Sequence, residues 1–397
     1  MVTRCLPLEI PQSVGELTAG WLTDAVRSSG LVQDSRVVGF EAGSPGSGVG
    51  FQGQTIRVSL DWDVNEPDAP TAVLVKFPSA NRGNRGLGET EGAYDREFDF
   101  YERFSANFPV RVPRLVYSVR DPGPPQVTRK RQEQIVNGLP APLLRLIGRH
   151  ARRLLRASKR RYALVLEYVP DARVTTALDL PPEEDLSTIL STLARMHAYF
   201  WRRPVLADKT VIEWSMVTQM PNVMNGVYRA WRDDVVLRDP EVFTDRFMRH
   251  ADWFRDHIVD LVVHLDEPLS FRHGDCRTDN MLFAAGGLVL VDFGVMGSGR
   301  PAGDVAYLLS ETVPPGPGAR DTFLRLCREY HRALVAAGVD DHPLDEFLED
   351  CDIVLALQAY RTVLIEGAYE ADYGDDSLAH LWGPRIGSLL CEEPPNR

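Results

Sequence analysis

The chain is poor in several features on which whole classes of protein depend. Cysteine is scarce: Cys5, Cys276, Cys327, Cys351 and Cys391 are the five among 397 residues. They are scattered without metal-ligand spacing and their number is odd, which excludes a disulfide framework and predicts free thiols in a reducing cytoplasm. Long apolar runs are also missing. None approaches the roughly 20 residues that span a bilayer, and the opening MVTRCLPLEIPQS has no apolar signal core. The expectation is a cytoplasmic chain with no stable membrane insertion. Positive charge is in deficit, with 44 Lys and Arg against 56 acids and a net charge of −12, which excludes general nucleic-acid binding. No internal repeat is present.

What remains is an ordinary globular composition on a chain long enough for two lobes, each with a core. Residues up to about Val38 read as a helical lead-in, with Leu17, Trp21, Leu22 and Val26 at helical spacing. A glycine-dense stretch, Phe40 to Gly53, precedes a strand from Thr55 to Trp62 with Ile56, Val58 and Leu60 alternating. A second strand carries Lys76. Ser79 to Gly92, rich in Gly, Asn and Arg, reads as a mobile loop, and a helix carrying Glu97 follows. Strands near Pro113 to Val119 and Tyr162 to Val169 bracket a basic insertion. Beyond about Leu186 the pattern is mainly helical, apart from one hairpin. The fold class expected is α+β, a bilobal arrangement with a sheet-rich N-lobe over residues 1–168 and a mainly helical C-lobe over residues 169–397. The basic insertion, at about 124–161, is assigned to the N-lobe, and the ligand cleft to the space between the lobes.

The hairpin is the most informative segment. In FRHGDCRTDNMLFAAGGLVLVDFG, Phe271 to Gly294, two short apolar runs flank the turn signal Ala284-Ala-Gly-Gly287. Its strands return Asp292 to the side of Asn280. Two hard oxygen ligands together suit Mg²⁺ bridging phosphate oxygens. Asp275, five residues before Asn280, is placed to take a proton from a hydroxyl, and the set is the equipment of phosphoryl transfer from a nucleotide.

His273-Gly-Asp275 with Asn280, then Asp292-Phe-Gly294, resembles the signature of the aminoglycoside phosphotransferase-like small-molecule kinases, which have a protein-kinase-like fold. Val73-Leu-Val-Lys76 resembles the strand with the nucleotide-gripping lysine, Arg96-Glu97-Phe-Asp-Phe100 the helix with its glutamate partner, and Leu164-Val-Leu-Glu167-Tyr-Val169 the hinge. Leu193 to Trp201 and Thr278 to Phe283 are most similar to the ecdysteroid-kinase-like branch. The resemblance runs in order from about Phe40 to Leu309. One departure is Cys276, where members usually carry a bulky apolar residue.

The resemblance implies ATP and Mg²⁺ as cofactors. Asp275 is then the catalytic base, and Asn280 and Asp292 are the metal ligands. Lys76, paired with Glu97, contacts the α- and β-phosphates. Gly46, Gly48 and Gly50 lie over the phosphates, where glycine permits close backbone approach. Glu167 and Val169 meet the adenine through backbone groups, so side-chain identity does not separate ATP from GTP. Taken singly, each has a plainer reading: an edge-strand lysine, a flexible loop, a solvated turn Asp or Asn. Their order and spacing favour the site. His273 and Asp304 read as supports of the catalytic loop, Asp304 also as a helix cap. His197 reads as a satisfied core histidine and Cys276 as a small buried thiol.

Two charged regions bear on the substrate. Between Gln126 and Arg161 lie eleven Lys or Arg and one acid, so the segment reads as a solvated helical insertion or as a docking surface for an anionic partner or an acidic membrane surface. Leu143, Leu144, Ile147, Ala151, Leu154 and Leu155 are placed on its apolar face. Between Asp340 and Asp376 lie twelve acids and one base, which suit a cationic acceptor or a solubilising face. Interleaved Val354, Leu355, Leu357, Tyr360, Val363 and Leu364 equally suit a pocket for a hydrophobic alcohol. The function expected is small-molecule O-phosphotransfer to an alcohol of a natural product or metabolite. The alternatives are an aminoglycoside- or macrolide-type resistance enzyme and a catalytically silent nucleotide-binding module. No Ala-Pro-Glu segment follows Asp292, which argues against a protein kinase.

Overall fold

A computed structural model describes residues 9–43, 53–123, 126–154, 157–176, 179–207, 216–267, 269–368 and 378–395. In chain order the first elements are α1 (Ala19–Ser28), β1 (Val37–Gly43), β2 (Gly53–Trp62), β3 (Ala72–Pro78), α2 (Arg82–Glu91), α3 (Ala93–Arg103), β4 (Leu115–Arg120), α4 (Gln126–Asn137), α5 (Ala141–Arg149), α6 (Ala151–Leu154), β5 (Tyr162–Glu167) and β6 (Arg173–Val174). Then come α7 (Glu183–Phe200), α8 (Met216–Gln219), α9 (Pro221–Arg238), α10 (Asp245–Leu265), β7 (Ser270–Arg272), β8 (Met281–Ala284), β9 (Gly287–Leu290), β10 (Gly297–Gly299), α11 (Ala302–Thr312), α12 (Ala319–Ala336), α13 (Leu344–Ala368) and α14 (Leu378–Leu389). The chain divides into two compact units: Met1–Pro124 with Leu155–Arg173 and Phe283–Gly294, and Pro125–Leu154 with Val174–Leu282 and Val295–Arg397. These boundaries differ from the division at residue 168 read from the sequence.

The first unit is built on an antiparallel sheet in the order β1-β2-β3-β5-β4. Period-2 alternation gives it two distinct faces. Val58, Val73, Val75, Phe77, Ala163 and Val165 pack with Trp21, Leu22 and Val26 of α1. Lys76 and Leu164, register partners in β3 and β5, belong to the opposite face. Helix α1 starts where the Thr18 hydroxyl accepts from Trp21 N at 3.1 Å, the capping geometry that satisfies an otherwise orphaned amide.

Residues 82–91, expected to be a mobile loop, form α2. The Asn81 side chain caps it, accepting from Gly83 N at 2.8 Å and Asn84 N at 3.1 Å. Gly92, at φ 73°, ends it in the left-handed region. Its glycines serve packing: a Cβ on Gly88 would stand 3.2 Å from the Tyr94 ring. Low helix propensity is overridden here by caps and by the neighbouring helix.

The second unit is helical around α13. Val354, Leu355, Leu357, Tyr360, Val363 and Leu364 are all buried, and Tyr360 stacks on Tyr228 with centroids 4.8 Å apart. These residues, which suited a pocket in the sequence, are spent on helix packing. Much of the acidic run is spent likewise. Asp350, fully buried, accepts from His264 at 2.6 Å and Arg300 at 2.9 Å, Asp352 pairs with Arg320 at 2.6 Å and Asp341 with Arg202 at 2.8 Å. Asp375 and Asp376 lie outside the described residues. Among the described residues Cys276, Cys327, Cys351 and Cys391 are free thiols, and no helix is long and apolar enough to cross a membrane.

The basic insertion belongs with this second unit, a correction to its N-lobe assignment. Leu144 and Gly148 are the buried positions of α5. A Cβ on Gly148 would lie 2.6 Å from Val227 Cα, and one on Gly226 would lie 2.7 Å from Leu144 backbone atoms. Helices α5 and α9 therefore cross through two glycines. Arg149 clamps the crossing, with its guanidinium 4.3 Å above the Trp231 ring, a hydrogen bond to Ala230 O at 2.9 Å and an ion pair with Asp234. Leu143 and Leu154, expected on the apolar face, are 42% and 58% exposed. Charge periodicity alone does not show which unit a helix joins.

Alanine normally stabilises a helix relative to glycine by roughly 0.5–1 kcal/mol. At this crossing the sign reverses. Gly226→Ala is expected to destabilise the protein by about 1–3 kcal/mol through overpacking, read as a lower urea midpoint.

Candidate active site

The first unit contributes a charged cluster at one edge of a cavity open to solvent. Lys76 stands on β3, the middle strand of five, between Thr55 of β2 and Leu164 of β5. The edge-strand reading is thereby removed. Its ammonium lies 2.5 Å from Glu97 Oε1 and 3.6 Å from Asp292 Oδ1. Burial works against the Lys76 charge, but the carboxylates of Asp292 and Glu97 outweigh it and raise the ammonium above its ordinary pKa. The lysine is held as a permanent cation. Tyr94, Phe98, Tyr162 and Leu164 line the apolar side of the cavity.

Helix α3 sets two things at once. It carries Glu97, and it anchors the segment that carries Asp292. Phe293 stacks on Phe100 at 3.5 Å between centroids, with Phe108 edge-on at 5.6 Å. Arg96 Nε donates to Gly294 O at 2.9 Å. Between these anchors Asp292 takes φ 66°, a left-handed conformation uncommon outside glycine, tolerated by Asp, and held only where surroundings impose it. The Asp292 side chain is 43% exposed, against 10% for Glu97, so it retains oxygen for a further ligand.

The hinge residues lie in the same unit. Glu167 closes β5, its N–H taken by Arg114 O at 2.9 Å and its carboxylate accepting from Arg114 N at 3.0 Å. That amide is therefore not available to a bound base. Val169 is buried. Gly46, Gly48 and Gly50 lie outside the described residues.

The second unit carries Asp275, in the loop between β7 and β8. Asp304, fully buried, shapes that loop. Its Oδ2 accepts from His273 N at 2.8 Å and its Oδ1 from Gly274 N at 2.9 Å, while His197 Nε2 lies 3.2 Å from Oδ2 and His197 Nδ1 2.7 Å from the Tyr330 hydroxyl. Asp304 is the third residue of α11 and Pro301 occupies the cap position, so it braces the loop without capping the helix. Gly274, at φ 82°, makes the turn. His273 Nδ1 accepts from Asp275 N at 3.3 Å.

The Asp275 carboxylate is fixed at both oxygens. Tyr307 donates to Oδ1 at 3.0 Å and Asn280 Nδ2 to Oδ2 at 2.9 Å, with Arg277 Nε 3.3 Å from Oδ1. Burial would raise its pKa, but Arg277, His273 and the Tyr307 hydroxyl prevail and lower it, so the group is held as a carboxylate. Asn280 Nδ2 also donates to Asp275 O at 2.9 Å. Its amide nitrogen is thus occupied. Its Oδ1 is an oxygen of the hard kind that suits Mg²⁺, as are the carboxylate oxygens of the half-exposed Asp292 in the first unit. Cys276 is a buried thiol whose pKa burial pushes well up, and so inert.

Sequence reading did not single out Arg277, Tyr307 and Phe293, nor Arg96 and Phe100 for what they do individually. The spacing Asp304-x-x-Tyr307 on one helix is the signal by which Tyr307 was findable, since residues three apart share a face.

Phe293→Ala should expose the mechanical role of α3. It is expected to cost about 3–5 kcal/mol, the range for a buried aromatic truncation, as measured by urea denaturation.

A search among curated proteins returned no match. Among solved structures, an amicoumacin kinase in complex with AMP-PNP, Ca²⁺ and Ami is 11% identical, over 87% of this chain and 88% of that one, with a TM-score of 0.50. A Plasmodium vivax ethanolamine kinase is 11% identical over 88% and 80%, TM-score 0.45. A Cryptosporidium parvum Iowa II choline kinase is 10% identical over 87% of both chains, TM-score 0.47. At such identity the first of these speaks for the fold alone, the protein-kinase-like α+β fold with a sheet-rich N-terminal part and a helical C-terminal part. The model of the phosphotransferase enzyme family, APH, matches residues 64–336, more than half of the sequence, and the chain therefore belongs to that family.

Proposed function

We propose that this phosphotransferase moves the γ-phosphoryl group of ATP directly to a hydroxyl of a small-molecule alcohol, a natural product or metabolite. The observation that carries this reading is Asp275, an ionised carboxylate held at both oxygens by Tyr307 and Asn280. In the proposed step the acceptor oxygen attacks the γ-phosphorus. Its proton passes to Asp275, and the bond from the γ-phosphorus to the β,γ-bridging oxygen breaks, releasing ADP.

Lys76, kept cationic by Glu97 and Asp292, is assigned to the α- and β-phosphates. Asn280 and Asp292 are assigned as oxygen donors to Mg²⁺, which when bound neutralises charge on the phosphate oxygens. Glu167 and Val169 are assigned to the adenine, and Gly46, Gly48 and Gly50 to backbone contacts with phosphate.

The acidic run supports a metabolite over an aminoglycoside-type acceptor. Asp341, Asp350 and Asp352 are engaged by Arg202, Arg300 and Arg320, which lowers the negative charge these three would offer a polycation. Arg149 is engaged by Ala230, Asp234 and Trp231, so Arg131, Arg145 and Arg153 on the remaining basic face are the part assigned to an anionic carrier or acidic acceptor.

Asp275→Ala is expected to lower phosphate transfer roughly 10²–10⁴-fold in a screen of alcohols with ATP, the usual worth of a general base. Binding of a fluorescent ATP analogue should be largely spared. Asp292→Ala should abolish turnover, and normal turnover in either variant refutes its assigned role. The double charge reversal Arg145→Glu with Arg153→Glu should raise KM for an anionic acceptor and leave kcat in place. An unchanged KM removes the anionic-partner assignment.

A further inference from the structure

The acidic run between Asp340 and Asp376 contains a single base, Arg361. It stands on α13, half-buried, with its guanidinium 5.0 Å from the centroid of the Tyr307 ring on α11. Arg300 and Arg320 each pair with a carboxylate of that same helix, Asp350 and Asp352. Arg361 does not: among the described residues it has neither a salt-bridge partner nor a hydrogen bond. A cation partly withdrawn from water calls for an opposite charge, and the face of a ring supplies only part of that compensation.

Tyr307 connects that cation to the base. Its ring lies under Arg361 and its hydroxyl donates to Asp275 Oδ1 at 3.0 Å, so the guanidinium and the Asp275 carboxylate stand one phenol apart. Asp275 has a nearer cation of its own, since Arg277 Nε lies 3.3 Å from Oδ1. The other carboxyl nearby is Glu311, one helical turn beyond Tyr307 and 5% exposed. Burial pushes it up to about 8, so near neutral pH it does little to cancel the Arg361 charge. A hydroxyl offered to Asp275 therefore has an unspent cation beside it, within reach of a short carbon chain. A neutral alcohol makes no use of that charge, and a cationic one is repelled by it.

We propose that Arg361 is a specificity-determining residue: it pairs with a carboxylate on the acceptor while Asp275 receives the acceptor's hydroxyl, so the substrate class is a hydroxy acid. The inference rests on Asp275 being the base of transfer to an alcohol. The planar fork of a guanidinium meets both oxygens of a carboxylate, and its single charge matches a carboxylate better than the nearly double charge of a phosphate. Tyr307 then serves both ends of one substrate, its ring supporting the guanidinium and its hydroxyl holding the base. The acceptor carboxylate makes and breaks no bond in the transfer.

The test uses a series of straight-chain hydroxycarboxylates and the methyl ester of each, with wild type, Arg361→Gln and Arg361→Lys. Binding is read first, near neutral pH, as the shift each compound gives in the thermal midpoint. The midpoints without compound report whether the variants fold. The acids are expected to raise the wild-type midpoint more than their esters do. Arg361→Gln should erase that difference, and Arg361→Lys, which keeps the charge but not the fork, should retain part of it. With Mg²⁺-ATP, the KM of the best acid should rise about tenfold in Arg361→Gln, the worth of one charged hydrogen bond, with kcat held. A lowered kcat at unchanged KM makes Arg361 only a brace for Tyr307 and overturns the proposal. Equal binding of acid and ester by wild type overturns it as well. Transfer to esters as readily as to acids removes the role of Arg361 and leaves the proposed function standing. Acids bound through Arg361 with no transfer in any protein overturn the alcohol-kinase reading, and the hydroxy-acid assignment falls with it.

Discussion

A lysine ammonium placed in the middle of a sheet must be neutralised, and much of the first unit follows from that requirement. Leaving it alone among Tyr94, Phe98 and Leu164 would be prohibitive. Glu97 meets the charge at 2.5 Å, which fixes the position of α3 against the sheet. The same helix then has side chains left over for a second task. Phe100, one turn past Arg96, receives the Phe293 ring, and Arg96 takes the Gly294 carbonyl. An unfavourable backbone conformation at Asp292 is held because both of its followers are tied down. Electrostatics and aromatic packing thus act through one helix.

The second unit solves a related problem with hydrogen bonds instead of an ion pair. Asp304 is a buried carboxylate with no lysine or arginine against it among its hydrogen-bonding partners. Two loop amides and His197 satisfy it, and its burial is what gives the loop a single shape. Arg272 shows the same economy in reverse. It is fully buried, and Gly299 and Gly303 leave the space its guanidinium fills, since a Cβ at either would come within 2.6 Å of it.

The parts of this protein that were legible in its sequence are those where chemistry and periodicity coincide. Resemblance to the kinase family placed Lys76 on a strand and Glu97 on a helix, and the polar residues around the hairpin named the loop. Helix α2 was illegible because three glycines argue against a helix unless one knows that Asn81 caps it and that Tyr94 lies against Gly88. The basic insertion was misassigned because a helix advertises its charged face, while the partner it joins is decided by Gly148 and Gly226, two residues without side chains. The acidic run is open to more than one reading for a similar reason: formal charge is visible in a sequence, and the arginines that pair with Asp352, Asp350 and Asp341 are 32, 50 and 139 residues away. Arg361 was visible as the one base of that run, while the Tyr307 ring beneath its guanidinium was not.

The division into units has a topological side. The backbone passes from one unit to the other five times, near residues 124, 154, 173, 282 and 294. Asp292 is delivered to the first unit on a short excursion, Phe283–Gly294, whose flanking chain on both sides belongs to the second. No single break in the chain would therefore liberate either unit intact. Neither half is a transferable module, and recombination between relatives would have to exchange several separate segments together to keep the Lys76 cluster whole.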